Sequence, residues 1–190
     1  MNLNNQCEPL SQLDAFLASV EQRAYRTALF TTKKSQDALD IVQDAMMQLV
    51  QYYRNKSIQE WPLLFHRILQ NRIMDWHRAQ QKQKRFFWQS PVSDPDDENP
   101  VDEMLEMAAQ DQQYNPVELM VRAQNVERMI KAVDVLPLRQ RQAFLLRVWE
   151  GFDVEQTAQI MECTAGSVKT HYFRALQRLR ELLGEEGEGF

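Results

Sequence analysis

The chain has 190 residues, 44% of them hydrophobic and 26% charged, with a formal net charge of −5. This is an ordinary globular composition, long enough for one or two small cores, and only 5 glycines with sparse β-branched runs favour an all-helical chain. No apolar run approaches a membrane span, the N-terminus lacks a signal-peptide core, and Cys7 and Cys163 lie far apart without metal spacing, so a reduced cytoplasmic compartment is expected.

The charge is unevenly spread. Residues 1–88 hold 12 Lys/Arg against 8 Asp/Glu, a net +4. Residues 89–115 hold 8 Asp/Glu and no Lys/Arg, a net −8. Residues 116–190 hold 10 Lys/Arg against 11 Asp/Glu, a net −1. The deficit sits in one middle segment and in the tail Glu185, Glu186 and Glu188, which leaves a basic helical stretch on either side.

In chain order, residues 9–32 carry Leu10, Leu13, Phe16, Leu17, Val20, Ala24, Tyr25, Ala28 and Leu29 at helical spacing. A polar break follows at Thr31–Ser35, where Ser35 or Asp37 is the expected cap of a second helix. Its apolar positions are Ala38, Ile41, Val42, Ala45, Met46, Leu49, Val50 and Tyr53. Its outer face offers Asp37, Asp40, Gln43, Asp44 and Gln48. Such a face is ordinarily just solvated, and is otherwise a docking surface for a basic partner. After the polar loop Arg54–Glu60, Trp61-Pro62 opens a third helix, since proline suits the first helical position. From His66 to Trp88 this helix carries Arg67, Arg72, Arg78, Lys82, Lys84 and Arg85 against Asp75, with Trp76, Phe86, Phe87 and Trp88 interleaved. Basic side chains track phosphates and aromatic faces stack on unpaired bases. The basic row therefore reads as a nucleic-acid surface, whereas Trp76 reads as core.

Residues 89–115 contain three prolines and the acidic run Asp94–Glu98, the composition of a flexible linker, with at most a weak helix over Val101–Gln110. The chain thus divides into an N-terminal domain (1–88), the linker (89–115) and a C-terminal domain (116–190). In the last, Pro116–Val135 is a helix with Val117, Leu119, Met120, Ala123, Val126, Met129, Ile130 and Val133 inside. Leu136-Pro137 breaks it. Leu138–Glu150 is a second helix, and Gly151 ends it as a left-handed cap.

Then come two short helices joined by a tight turn. Asp153 caps the first, with Gln156 at the capping-box position, and Val154, Thr157, Ala158 and Ile160 face inward. The chain breaks at Met161-Glu162-Cys163, and Thr164 caps the second, with Ser167 at the third position. Val168, Tyr172, Ala175, Leu176, Leu179 and Leu183 form its core stripe. The other face carries Ser167, Lys169, Thr170, His171, Arg174, Gln177, Arg178 and Arg180. Short polar groups near a helix start reach base edges in a major groove, and arginines further along meet phosphates. The plainer alternative is an amphipathic helix with a solvated basic face. The expected architecture is all-α: two small helical domains joined by an acidic linker, the C-terminal one a four-helix domain with a helix-turn-helix.

Leu136–Leu183, with its LP-x-x-x-R start, F-L-L-R, E-G and G-S-V-K-x-x-x-x-R-A-L-x-R-L-R run, resembles the second DNA-binding domain of bacterial RNA polymerase sigma factors. The likeness is to the extracytoplasmic-function (ECF) group of the sigma-70 family. Ser35–Val50 resembles the helix of that family that docks on the polymerase clamp, and Arg67–Arg78 the helix that reads the downstream promoter element. Three positions depart from the pattern: Glu162 where the turn usually has glycine, Leu39 where an acid is frequent, and Leu64 where many members have tryptophan.

The resemblance implies a sigma factor that binds core RNA polymerase, through the β′ clamp and the β flap, and directs initiation at promoters with −10 and −35 elements. Asp37, Asp40, Gln43 and Asp44 would meet the clamp. Arg54, Asn55, Lys56, Arg67, Asn71, Arg72, Trp76 and Arg78 would hold the melted −10 strand, with the loop pocketing a flipped base. Ser167, Lys169, Thr170, His171, Arg174 and Arg178 would read the −35 duplex, Arg178 on phosphate. The acidic linker would thread toward the RNA exit path. An anti-sigma factor is a candidate further partner.

No catalytic site, cofactor or metal is expected. His66, His77 and His171 have no ligand spacing among themselves or with the cysteines, and no glycine-rich phosphate loop or nucleophile motif is present. Two other readings compete. A stand-alone helix-turn-helix regulator predicts tight duplex binding without polymerase at a symmetric site, but the basic, aromatic Arg67–Trp88 stretch argues against a mere sensor domain. A protein-interaction adaptor using the acidic middle leaves the reader helix unexplained.

Overall fold

A computed structural model describes residues 8–86 and 116–184, with side chains over 12–83 and 125–184. The linker expected at 89–115, the weak helix within it, Phe87, Trp88 and the acidic tail lie outside the described residues, as do the side chains of Lys84, Arg85 and Phe86. The chain divides into two compact units, Met1–Glu98 and Asn99–Phe190.

The first unit is built from α1 (Glu8–Thr32), α2 (Ser35–Tyr53) and α3 (Trp61–Phe86), each packed on the other two. Ala24, Ala28, Ala38 and Ala45 are fully buried, so the helices approach closely where these small residues lie. Around them pack Leu13, Leu29 and Phe30 of α1, Ile41, Val42 and Leu49 of α2, and Phe65, Leu69 and Ile73 of α3. Burying each large apolar side chain contributes about 1.5–3 kcal/mol. Phe16 stands edge-on to Phe65 and tilted against Trp61, with ring centroids 6.1 and 6.0 Å away. Buried His66 is satisfied locally, its Nδ1 lying 2.8 Å from the Pro62 carbonyl. It is a core histidine held by its own helix.

The break between α1 and α2 differs from the sequence expectation. Ser35 and Asp37 are both inside α2, and its N-cap is Lys34, which makes no side-chain capping bond. Thr32 organises the turn instead. Its hydroxyl donates to the Lys34 carbonyl at 3.1 Å and accepts from the Lys34 N–H at 3.4 Å. Lys33 takes a left-handed conformation, φ 60°, and closes α1 by donating to the Leu29 carbonyl.

The second unit contains α4 (Pro116–Asp134), α5 (Leu138–Phe144), α6 (Val154–Met161) and α7 (Ala165–Gly184). The helix expected over Leu138–Glu150 is not α-helical throughout. It passes at Leu145 into a π-helical turn, Leu145–Trp149, with the Glu150 N–H bonded to the Leu145 carbonyl five residues back. Leu136, Phe144, Leu146, Ile160 and Val168 centre the core, and α7 packs on α4, α5 and α6. Of the residues expected inside α4, Ile130 and Val133 are buried, but Met129 is 42% exposed. No helix among the described residues is long and apolar enough to cross a membrane.

Candidate nucleic-acid interface

The local chemistry that aims α7 begins in α5. Arg141 donates to the carbonyls of Asp134 (2.7 Å) and Leu136 (3.3 Å) and lies 3.5 Å from the Asp134 carboxylate, closing the Leu136-Pro137 corner. Burial lowers its pKa, and Asp134 counteracts that by holding the charge. Arg147, in the π-helical turn, donates to the Phe152 carbonyl and sits over the Tyr172 ring of α7, 5.8 Å from its centroid. Gly151 follows at φ 76°, the left-handed conformation that glycine adopts without a Cβ clash.

Asp153 and Gln156 form a reciprocal capping box. The Gln156 N–H donates to Asp153 Oδ1 (2.8 Å), and the Asp153 N–H donates to Gln156 Oε1 (3.0 Å). Buried Thr157 donates its hydroxyl to the Asp153 carbonyl at 2.6 Å. Glu162 ends α6 in the left-handed region, φ 51° and ψ 51°. Thr164 then caps α7, accepting from the Ser167 N–H at 3.1 Å, with the two hydroxyls 2.9 Å apart.

At about 100° per residue, the predicted reader residues do not share one line on α7. Ser167 and His171 are half-buried at one edge. Thr170, Arg174 and Arg178 are exposed beside them. Lys169 lies roughly 200° from Ser167 around the axis, at the opposite edge, with Arg180. Between those edges stands Phe173, 60% exposed, which the sequence reading left out. The available signal was an aromatic residue standing off the apolar stripe. An exposed ring there suits an apolar contact such as a thymine methyl. The Thr170 hydroxyl already donates to the Gly166 carbonyl (2.9 Å) and retains its acceptor capacity. Burial, then Arg139 and Arg174, lower the pKa of His171 and favour the neutral imidazole. Burial raises the Cys163 thiol, opposed by Arg139, so Cys163 is a neutral thiol in the turn. No cluster of three metal-ligating side chains occurs among the described residues.

In the first unit, Arg67, Asn71 and Arg78 recur at four- and seven-residue steps along α3 and are all exposed, with Lys82 continuing the stripe. Arg78 is paired with Asp75 at 3.0 Å, both side chains more than 60% exposed, so the pair is worth little and is easily exchanged for a phosphate. Arg72 turns away toward α2, donating to Gln48 Oε1 at 3.3 Å. Trp76 is half-buried on the far side of the helix from Arg67.

Arg54, Asn55 and Lys56 stand exposed at the start of an ordered loop. The Ser57 N–H and hydroxyl donate to Glu60 Oε2 (3.1 and 3.0 Å), and Lys56 lies 3.5 Å from Glu60 Oε1. These contacts, the Ser57 backbone bond foremost, lower the Glu60 pKa. Buried Trp61 donates to the Tyr53 carbonyl at 3.2 Å and ties the loop's two ends together. On α2, Asp40, Gln43 and Asp44 are exposed and Asp37 half-buried, all within one arc. Leu39 and Met47 share this outer face, 47% and 60% exposed.

Residues 127–179 match the family described as Sigma-70, region 4. The ECF RNA polymerase sigma factor SigX of Bacillus subtilis is 27% identical over 172 residues, 87% of this chain and 81% of that protein. The co-crystal structure of the sigma factor RpoE with the anti-sigma factor NepR from Bartonella quintana has a similar fold, with a TM-score of 0.61 and 24% identity, covering 92% of this chain and 98% of that one. The RNA polymerase sigma factor SigV of Bacillus subtilis is 31% identical over 170 residues, 87% of each chain. With that likeness running through both helical units, this chain belongs to the ECF group of the sigma-70 family of RNA polymerase sigma factors.

Proposed function

We propose a division of labour between the two units of this sigma factor. As a member of its family it binds core RNA polymerase and directs initiation at promoters, and it acts as a specificity subunit without chemistry of its own. The observation that carries the residue-level reading is the capped turn Asp153–Ser167, which presents the exposed arc of α7. We assign −35 duplex reading to that arc: Thr170 and Arg174 at its centre, Ser167 and His171 at one edge, Lys169 at the other, and Arg178 on phosphate.

The first unit takes the −10 strand on Arg67, Asn71 and Arg78 of α3, with Arg54, Asn55 and Lys56 of the ordered loop. Arg72 and Trp76, which face elsewhere on the helix, support that surface rather than form its centre. The acidic arc of α2, Asp37, Asp40, Gln43 and Asp44, docks the β′ clamp, with Met47 as an apolar contact within the arc and Leu39 at its edge. The second unit meets the β flap. The work is cytoplasmic, where polymerase and chromosome are. An anti-sigma factor is a further proposed partner, supported by the fold shared with an RpoE crystallised with NepR. A pull-down from uninduced cells that recovers polymerase subunits alone would count against it.

Run-off transcription tests the whole reading. The chain is mixed with bacterial core polymerase and sheared DNA from the source genome, and the transcripts are sequenced. Core-dependent starts preceded by a shared two-block motif are expected. Tight duplex binding by the chain alone, without core-dependent starts, would instead make it a stand-alone regulator.

A further inference from the structure

We propose that Arg139 is the positioning residue of the reader helix: from α5 it clamps the last turn of α6 and fixes the edge of α7 that carries Ser167 and His171. The inference rests on the assignment of α7 to promoter reading. Arg139 lies outside the residues given a DNA or polymerase role above, and it is half-buried in the second unit. One terminal nitrogen, Nη1, donates both to Gln142 Oε1 at 3.0 Å and to the Met161 carbonyl at 3.2 Å. Gln142 is itself buried, 5% exposed, so the guanidinium is held from behind by a side chain that has little freedom to move.

Met161 is the last residue of α6, and Glu162 follows it in the left-handed conformation. The final carbonyls of a helix have no partner within it and form the negative end of its dipole. A guanidinium bonded to the Met161 carbonyl satisfies one of them at the peptide unit from which the chain swings toward the Thr164 cap. The orientation of that peptide sets the direction in which α7 leaves the turn. Arg139 is therefore a contact from the scaffold helix α5 to the joint of the helix-turn-helix.

The same cation acts on the edge of α7. The charges that lower the His171 pKa, after burial, are Arg139 of α5 and Arg174 of α7 itself. Among the described residues, no charge of α4 or α6 is among those causes. These causes favour the neutral His171 ring, which can offer a donor and an acceptor to a base edge.

The test uses the full chain with three substitutions: Arg139→Gln, Arg139→Lys, and Arg139→Gln combined with His171→Gln. The first readout needs no promoter. The His171 resonance, assigned by its loss when His171→Gln is added to Arg139→Gln, is titrated by NMR. Its midpoint should rise in Arg139→Gln and stay near that of the unchanged protein in Arg139→Lys. The second readout is transcription by the reconstituted holoenzyme from one promoter with its −35 block intact or scrambled.

Arg139→Gln should reduce the intact-to-scrambled ratio about tenfold at neutral pH, the worth of a charged hydrogen bond. Arg139→Lys should keep most of the ratio. In Arg139→Gln the ratio should also become more sensitive to acidification, because the His171 midpoint rises toward the ordinary imidazole value, and the added His171→Gln should remove that sensitivity. If the unchanged holoenzyme ignores the −35 block, the reading of α7 fails, and the titration still decides whether Arg139 acts on His171. If the −35 block matters but Arg139→Gln leaves the ratio or the midpoint unmoved, the positioning role is wrong. An equal loss on both templates with a lowered melting temperature would reduce Arg139 to a folding contact and overturn the proposal as well.

Discussion

Glu162 is the residue whose replacement most directly tests how the reader helix is aimed. It stands at φ 51° and ψ 51° at the end of α6, where its Cβ opposes the backbone conformation that the turn requires. A non-glycine residue there costs roughly 1–2 kcal/mol. Glycine removes that cost but adds about 0.5–1 kcal/mol of unfolded-state entropy. Glu162 is exposed, and an exposed charge contributes about 0.5 kcal/mol or less. The balance predicts that Glu162→Gly stabilises the second unit by about 0.5 kcal/mol, a rise in melting temperature of about 2–4 °C for a unit of this size.

The comparison that isolates the backbone is Glu162→Gly against Glu162→Ala, because alanine removes the carboxylate and keeps the Cβ. Glycine should be the more stable of the two. The assay is thermal unfolding by circular dichroism at neutral pH, with amide exchange in α6 and α7 reporting on the second unit alone. A glycine variant less stable than the alanine variant would show that the left-handed turn is not strained, and the reasoning would fail.

Asp153→Ala removes the acceptor of the Gln156 N–H and should cost about 1 kcal/mol of stability, whereas Asp153→Asn should cost little; denaturant unfolding of the two separates capping from charge. Glu60 has a depressed pKa, so its contribution to loop order is present above the ordinary carboxylate range and lost as pH falls through the depressed value. The exchange protection of the Ser57 amide should therefore hold at neutral pH and vanish in acid, and Glu60→Gln should flatten that dependence. Arg174→Ala should weaken −35-dependent transcription by about 1–3 kcal/mol of binding if Arg174 reads a base, with a loss that varies with the −35 sequence; a uniform loss across promoters would make it a phosphate contact. Charge reversal at Asp44 should lower the affinity for core polymerase at least tenfold at low salt and leave the fold intact, since Asp44 is exposed; equal affinity in a direct binding assay would remove α2 from the clamp interface.

What the sequence made legible was local chemistry. The capping box at Asp153, the left-handed Gly151, the Thr164 cap and the start of α3 at Trp61-Pro62 each depend on residues a few positions apart, and each is realised, with Pro62 as the second residue of α3 and not the first. The misses depend on longer-range or atypical geometry. Lys34 caps α2 because the Thr32 hydroxyl and the left-handed Lys33 organise the turn, and nothing in the residue types at Ser35 or Asp37 forbids the alternative. The π-helical turn after Phe144 inserts one extra residue into a helix whose apolar spacing reads the same either way. The partition of the α7 face needs the position of α5. Ser167 and His171 look as outward as Lys169 in the sequence, but packing half-buries the first two and leaves Phe173 standing out.

The charge pattern explains how a protein with a net charge of −5 can serve a polyanion. Affinity for phosphates depends on the charges near them, because charges beyond about one Debye length, roughly 8 Å in the cell, are screened. Among the described residues of α3, the exposed stripe Arg67, Arg78 and Lys82 is opposed by Asp75, and the exposed side of α7 offers Lys169, Arg174, Arg178 and Arg180 against Glu181. Within the same three-helix unit, α2 turns Asp40 and Asp44 outward. A helix face of that sign repels DNA as well as attracting a basic protein surface, so it discriminates between partners by repulsion too. On the proposed assignment, the opposite signs of the two faces keep the acidic one for polymerase and the basic one for DNA.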